Sequence, residues 1–352
     1  MTGFERWPLT GGSRLARHEG GQVLVIFALV FTVLLAASGL ALDTGGAWAQ
    51  ERAQQRAADL ASLAGATAEA NGQLRAGIIA AAVASAEANG YSAAEVTVNI
   101  PPATGAYAPG GSQSGPLSTN DCSTPAMVPC WVQVVVTRPH QNLFASILPG
   151  QGQWQVSARG VAVGGLANAA YAGATPLMFD ESAVSTPPKD AKFCNVKKNG
   201  CPSPNDPVPI NPNQFAWTEF CVKGDPHCNF DSNRGKNLIA GQLALTITVG
   251  MDLGPNNGGQ QDDVCTALLA AYPNGGDIVV AISTPSSTDP TVAVLAGIWA
   301  FHFDPTLTDC TGPNAPIIGG TFVSDATSTL PLTILPGGGT PQTGEYIARL
   351  VE

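Results

Sequence analysis

The stretch "ALDTGGAWAQERAQQRAADLASLAGA", Ala41–Ala66, follows directly on the longest apolar run of the chain and carries five charges of mixed sign. No proline separates the two segments. From Gln22 to Leu42, "QVLVIFALVFTVLLAASGLAL" is uncharged over 21 residues, and a bilayer core of about 30 Å takes about 20 helical residues. This predicts a transmembrane helix over 22–42, preceded by a cytoplasmic tail over 1–21. Arg6, Arg14 and Arg17 precede the run and Arg52 and Arg56 follow it, a thin positive-inside bias. "AWAQ" at Ala47–Gln50 resembles a signal-peptidase site, but the apolar run is longer than the roughly 7 to 15 residues of a signal core, so a retained anchor is expected.

Between Ala47 and Ala70 there is no proline and Gly65 is the only glycine, while Ala, Gln, Glu, Arg and Leu dominate. Helix propensity is near its maximum there, so the helix should continue past the membrane. Continuous from Val23 to about Asn71 it would be about 70 Å long at 1.5 Å per residue. Gly45 and Gly46 are the expected bend, and Asp43 a boundary charge solvated by headgroups or held by a partner helix. Arg52, Gln55, Arg56, Asp59 and Ser62 share one stripe, and Ala53, Ala57, Leu60 and Ala64 another. Small residues let a second backbone come close, which predicts a partner-docking helix carried by Asp43, Arg52, Gln55, Ala57, Asp59, Leu60 and Ala64. Asn71-Gly72 stops this helix, and a second one, Gln73 to Asn89, ends at Gly90 in the same way.

Charged residues make up 12% of the 352, with 40 Gly, 28 Pro and 44% apolar residues, a loop-rich but globular composition. The net charge of -10 disfavours a nucleic-acid partner, which needs a Lys/Arg surface. Lys189, Lys192, Lys197 and Lys198 form the only basic cluster and read as a solvated loop. All eight cysteines lie downstream of the apolar run. Cys122 and Cys130, Cys194 and Cys201, and Cys221 and Cys228 are spaced too widely for the usual zinc-ligand pairs, with Cys265 and Cys310 left over. Disulfides are favoured over buried thiols. They imply an oxidising space outside the cytoplasm, with connectivity open.

The rest reads as α+β. After the second helix, alternating "EVTVNI" at Glu95–Ile100, Trp131–Thr137 and Trp154–Val163 suggest a small unit in which a helix covers three antiparallel strands, spanning 43–163 with the end of the long helix. "GGLANAA" at 164–170 reads as a linker. Over 171–352, strands are expected at Ala174–Phe179, Leu238–Val249, Asp277–Ser283, Val292–Phe303, Ile317–Val323 and Glu345–Val351, separated by Pro- and Gly-rich turns: a mostly-β, sandwich-like domain.

No catalytic motif, cofactor loop or small-molecule substrate site is evident. His18, His140, His227 and His302 are isolated in sequence, and the chain contains neither a Gly-x-Ser-x-Gly elbow nor a phosphate-binding loop. An enzyme is not expected, nor a metal. Asn229, Asp231 and Asn233 offer oxygens but lack the glycine and glutamate of a calcium loop, and read better as an Asx-rich turn. Phe215, Trp217 and Phe220 read as core, with a surface patch as the other possibility.

Gly21-Gln22-Val23, then Leu40, Asp43, Gly45, Arg52, Gln55, Ala57-Ala58-Asp59, Ala61 and Leu63-Ala64, form a pattern that resembles the N-terminal domain of the TadE/TadG-like proteins of tight-adherence (Flp) pilus assembly. "VQVVVTRPHQNLFASILPG" and "WQVSARGVAV" resemble the strand, short helix and strand which that family places next. The resemblance implies a single-pass envelope protein with pilus-assembly or pilin-like partners, its N-terminus inside and its C-terminal domains outside the cytoplasmic membrane. Two features depart from relatives. Val25 and Ile26 stand where processed prepilins carry a glutamate, and "DATST" at Asp325–Thr329 is the nearest approach to a von Willebrand metal motif. A different class of function, a tethered or released surface-binding module for carbohydrate, matrix or calcium, is the other expectation the residues allow.

Overall fold

The computed structural model describes residues 20–123, 128–171, 174–187, 191–198, 200–201, 208–220, 232–243, 245–253, 261–288, 292–323, 330–335 and 346–352. The chain divides into two compact units, Met1–Glu51 with Arg138–Val156, and Arg52–Thr137 with Ser157–Glu352. Helix α1, Gly20–Ala70, passes through both and stays helical across Gly45 and Gly46. Each glycine costs a helix interior only about 1 kcal/mol, too little to end a helix with strong formers on both sides.

In the first unit α1 is apolar on every side. Val23, Leu24, Val25, Ile26 and Phe27 are each more than half exposed. Its apolar part reaches a mean hydropathy of 2.7 while burying almost none of itself in protein, which suits it to lipid, and α1 is the one candidate span among the described residues. A bilayer core accommodates about 20 of its residues, so the span ends near Leu42.

In the second unit α1 becomes a core element. Gln54, Ala57, Ala58, Ala61, Ser62, Ala66 and Glu69 are buried at steps of three and four. Helix α2, Arg75–Ala88, covers this face with Ile78 and Ala82, and strands β1, Val96–Asn99, and β2, Cys130–Gln141, add Val132, Val134 and Val136. Strand β3, Gln153–Leu166, comes closest of all. A Cβ on Gly160 would stand 2.7 Å from the Ala58 carbonyl, and one on Gly164 would stand 2.1 Å from the Ala66 oxygen. Eight helical residues rise about 12 Å and four strand residues about 13 Å, so the two contacts repeat in step. The alanine face is therefore taken up by the chain's own β3.

The chain continues through β4 (Ala169–Tyr171), β5 (Ala174–Asp180), α3 (Ser182–Ser185), β6 (Lys192–Asn195), β7 (Gln214–Trp217), α4 (Ser232–Ile239), β8 (Thr246–Thr248), β9 (Asp252–Leu253), α5 (Gln261–Ala271), β10 (Gly276–Pro285), β11 (Ala293–Phe303), β12 (Ile317–Val323), β13 (Leu332–Thr333) and β14 (Tyr346–Leu350). The mostly-β expectation holds, but the strands do not form two facing sheets. The order β10-β5-β7-β6-β12-β11 closes on itself because β10 also pairs with β11, giving a six-stranded barrel with β9 added on β11. The ring of Phe179 on β5 lies 5.2 Å from Phe301 on β11 and 5.3 Å from Phe322 on β12. These strands are not hydrogen-bonded neighbours of β5, so the rings meet across the interior. Phe215, Trp217 and Phe220 are buried, as core residues rather than a surface patch.

Three expectations are corrected. Residues 164–170 are not a linker. Gly164 to Leu166 complete β3, and Asn168 joins β4 to the strand beside it, donating from Nδ2 to the Leu335 carbonyl and accepting from the Leu335 N–H. Small residues stand there because backbones approach, not because the segment is loose. The segment 345–351 belongs to the membrane-proximal sheet: β14 pairs with β3 from Leu166 to Ala162, giving the order β1-β2-β3-β14. The apolar run Leu238–Val249 is not one strand, since Leu238 and Ile239 end α4, Gly241 turns with φ +67°, and β8 starts at Thr246.

Cys122–Cys130, Cys194–Cys201 and Cys265–Cys310 are disulfides, the last linking α5 to the β11–β12 connection across 45 residues. Cys221 and Cys228 lie outside the described residues, as do His18, His227, Asn229, Asp231 and "DATST", while Asn233 sits in α4.

Glu69 ends the buried face of α1 with its carboxylate over Gly164 and Gly165, where Oε2 accepts no hydrogen bond. Burial pushes its pKa from 4.5 up to about 8. The folded chain therefore holds a proton that the unfolded chain releases. The contribution of Glu69 to folding free energy should be greatest below pH 4.5 and should fall by on the order of a few kcal/mol as pH rises through about 8. Glu69→Gln should remove that decline, as read from the difference between the two proteins' denaturation midpoints across pH. Gly160→Val should cost about 1 to 3 kcal/mol at any pH, because its side chain has only main chain to displace.

Candidate functional site

Where α1 leaves the apolar run, one stripe of it receives the segment between β2 and β3. Four positions do this, Gly39, Asp43, Gly46 and Gln50, spaced by four, three and four residues and so on one side of the helix. At Gly39 an added Cβ would fall 2.6 Å from the Phe144 ring, and at Gly46 it would fall 2.9 Å from the His140 ring. Gln50 donates from Nε2 to the Arg138 carbonyl at 2.7 Å, and its Oε1 lies 3.0 Å from His140 Nδ1. The glycines expected to bend the helix thus differ in use. Gly46 is a seat for histidine, and Gly45 faces open space.

Asp43 is the centre of the arrangement and only 2% exposed. Its Oδ1 accepts the N–H of Leu143 at 2.9 Å, and Oδ2 accepts those of Phe144 at 3.0 Å and Ala145 at 2.6 Å. These N–H groups open a single 3₁₀ turn, Ala145–Ile147. The first N–H groups of a helical turn have no partner within it, and a carboxylate gives short, charge-assisted bonds to such donors. Asp43 therefore works as an N-cap supplied from 100 residues away. The expectation of a headgroup-solvated charge, or of one held by a partner helix, is replaced by this internal role.

The other docking-helix residues divide. Gln55 donates to Asp59 Oδ1 at 2.7 Å and to the Arg159 carbonyl at 2.8 Å, which fixes β3 beside the helix. Burial raises the Asp59 carboxyl above the usual range, against the Gln55 hydrogen bond. Ala57 is 1% exposed inside its own domain, so it offers nothing to another protein. Arg52 and Leu60 face outward, and Ala64 lies half-buried at the margin. The opposite face of the membrane exit is open, with Ala37, Leu40, Ala41, Thr44, Gly45 and Trp48 lining a shallow apolar groove. That groove went unread in the sequence, although the spacing of Ala37, Ala41 and Gly45 repeats the small-xxx-small pattern that lets membrane helices approach closely.

Among the described residues no three His, Cys, Asp or Glu side chains gather as a metal site. His302 Nδ1 lies 2.7 Å from Asp277 Oδ1, a cross-strand pair on the exposed face of β10 and β11. His140 is spent on Gln50.

Replacing Asp43 by Asn leaves one acceptor oxygen and brings an NH2 donor against N–H donors. The turn should lose about 1 to 3 kcal/mol of local stability. The amides of Leu143, Phe144 and Ala145 should then exchange hydrogen about 5 to 100 times faster in the detergent-solubilised protein, while the barrel amides stay as they are.

Residues 21–68 match the model of the Tad family, described as "Putative Flp pilus-assembly TadE/G-like". No curated protein and no solved structure matches the chain. The matched stretch holds the apolar run, Asp43 with both flanking seats, and the helix face buried by β3. The chain thus carries a TadE/G-like N-terminal segment, and that segment contains the one candidate membrane span among the described residues.

Proposed function

We propose that this protein is a non-enzymatic, single-pass component of the cell envelope that acts in assembly or surface display of a Tad/Flp-type pilus. Its N-terminus lies in the cytoplasm and its folded domains lie outside the cytoplasmic membrane. The cysteines support this orientation: three disulfides form among the described residues, and disulfides persist in oxidising spaces. Its partners are pilin-like or pilus-assembly proteins that also carry a membrane helix.

The observation that carries the reading is the groove at Ala37, Leu40, Ala41, Thr44, Gly45 and Trp48. Farther along α1, β3 covers the helix at Ala58 and Ala66, and of the stripe expected to dock a partner, Ala57 is buried while Leu60 is half exposed. The groove is lined by residues of α1, and beyond its chain neighbours and the helix's own backbone no atom lies within 4 Å of the Cβ position of Gly45. In lipid, helices associate through close packing rather than the hydrophobic effect, so small residues at every fourth position favour a second helix. Trp48 at the rim stands at the level where membrane proteins place aromatic side chains.

Leucine at both Ala41 and Gly45 should fill this groove without touching the folded units. Photo-crosslinking from Leu40 in cells should then drop about tenfold for pilin-like partners, while non-reducing gel mobility and thermal unfolding remain those of the parent. Unaltered crosslinking in the double variant would remove the groove from the docking surface.

A further inference from the structure

The first unit carries a second apolar surface that the groove does not explain. In the turn capped by Asp43, Leu143 is 76%, Phe144 45%, Ile147 82% and Leu148 61% exposed. Four large apolar side chains within six residues form a patch of a kind that soluble surfaces avoid. No Asp, Glu, Lys or Arg occurs between Arg138 and Arg159. The patch is continuous with the span: the Phe144 ring sits against Gly39, which lies three residues inside the end of the apolar run, about 4.5 Å along the helix axis.

Several polar groups of the turn find partners within the protein. Asp43 takes the first three N–H groups. Ile147 and Leu148 donate back to the carbonyls of Phe144 and Ala145, Ser146 Oγ donates to the Leu143 carbonyl, and Gln151 N–H donates to the Leu148 carbonyl. Water would satisfy such groups at no structural cost, whereas an apolar medium leaves each unpaired one expensive.

We propose that Leu143, Phe144, Ile147 and Leu148 form a second membrane anchor, a turn that dips into the leaflet on the side of the folded domains and lies among acyl chains next to α1. The span fixes its depth, and Asp43 locks the turn to the helix. Its occupant is the bilayer itself. The anchor rests on the span at 22–42 and is independent of the pilus role. Its consequence is that the first unit is held to the membrane at two points, through a helix and through a loop.

The test is an environment-sensitive fluorophore on Ile147→Cys, labelled under non-reducing conditions in the full chain. The protein is reconstituted in phosphatidylcholine/phosphatidylglycerol vesicles. A nitroxide at carbon 5 of the lipid chain should quench the label at least about threefold more than aqueous iodide does. A label on Ser112→Cys should show the reverse. The same preference for lipid should appear at Leu148→Cys, and adding Asp43→Ala should shift both toward iodide. Iodide quenching at 147 and 148 equal to that at 112 would place the turn in water and overturn the proposal. Protection from both quenchers would mean that protein covers it, which overturns the proposal equally. A label on Leu34→Cys that lipid nitroxides fail to reach would sink the span, and the anchor with it, while the groove and its partner could still be tested by crosslinking.

Discussion

The contact on which the folded part depends is the one between main chains, where α1 and β3 meet without side chains between them. Gly160 lies on Ala58 and Gly164 on Ala66, and the rises of a helix and a strand keep the two contacts in register over both. Such an approach tolerates only Gly and Ala, which is why the helix past the membrane is alanine-rich. It gives little hydrophobic burial per residue, so α2, β1 and β2 supply that from Ile78, Val132, Val134 and Val136 around it. One helix is thereby both the membrane anchor and a core element. No loop intervenes between the two roles.

The barrel is tied into the same framework. The chain leaves β3 directly into β4, builds the six-stranded ring, and returns as β14 along the other edge of β3. Glu352 closes this return by an ion pair with Arg159, and the Glu352 carbonyl accepts from the N–H of Val161. The final strand and the first helix thus share β3 as their neighbour. Unfolding of the barrel pulls on β14, and loss of β14 bares an edge of the sheet that packs on α1. The disulfide Cys265–Cys310 adds a constraint within the barrel half, where α5 contributes Val264 and Leu268 to the aromatic core.

Much of this was legible in the sequence, and what was not has physical causes. Long alternating or apolar runs gave β2, β3, β10, β11 and β12 near their observed bounds, because those strands are long enough for the pattern to repeat. Strands β6 and β7 have four residues each, too few to show a period. Helix α5 could have been found from Asp262 and Asp263 in its first turn and the Val264–Leu268 spacing. Residues 164–170 misled because Gly and Ala mark both loose linkers and tight backbone contacts, and composition does not separate the two. The close approach of β3 falls at Ala58 and Ala66, beside the stripe Ala53, Ala57, Leu60 and Ala64, because which turn of an alanine-rich helix meets a strand is a question of topology. Asp43 is the same case, since its three N–H partners lie 100 residues downstream.

The order of residue types along α1 follows from what approaches each turn. Up to Leu42 the candidate span exposes Leu, Val and Phe, and these positions need only be apolar. From Gly39 to Gln50 the helix needs a ledge on one side and a groove on the other, so glycine and aspartate alternate there with small and aromatic residues. From Ala57 to Ala66 it needs room for a strand backbone. The stretch that matches the Tad family, 21–68, stops within one turn of Ala66 and Glu69, the last residues that touch β3. What the match captures is therefore a length of helix whose three environments succeed one another in a fixed order, each imposing its own limit on side-chain size. Beyond Ala70 that constraint ends, and the turn 143–148 that Asp43 captures keeps its place through main-chain N–H groups, which any sequence without proline there would supply.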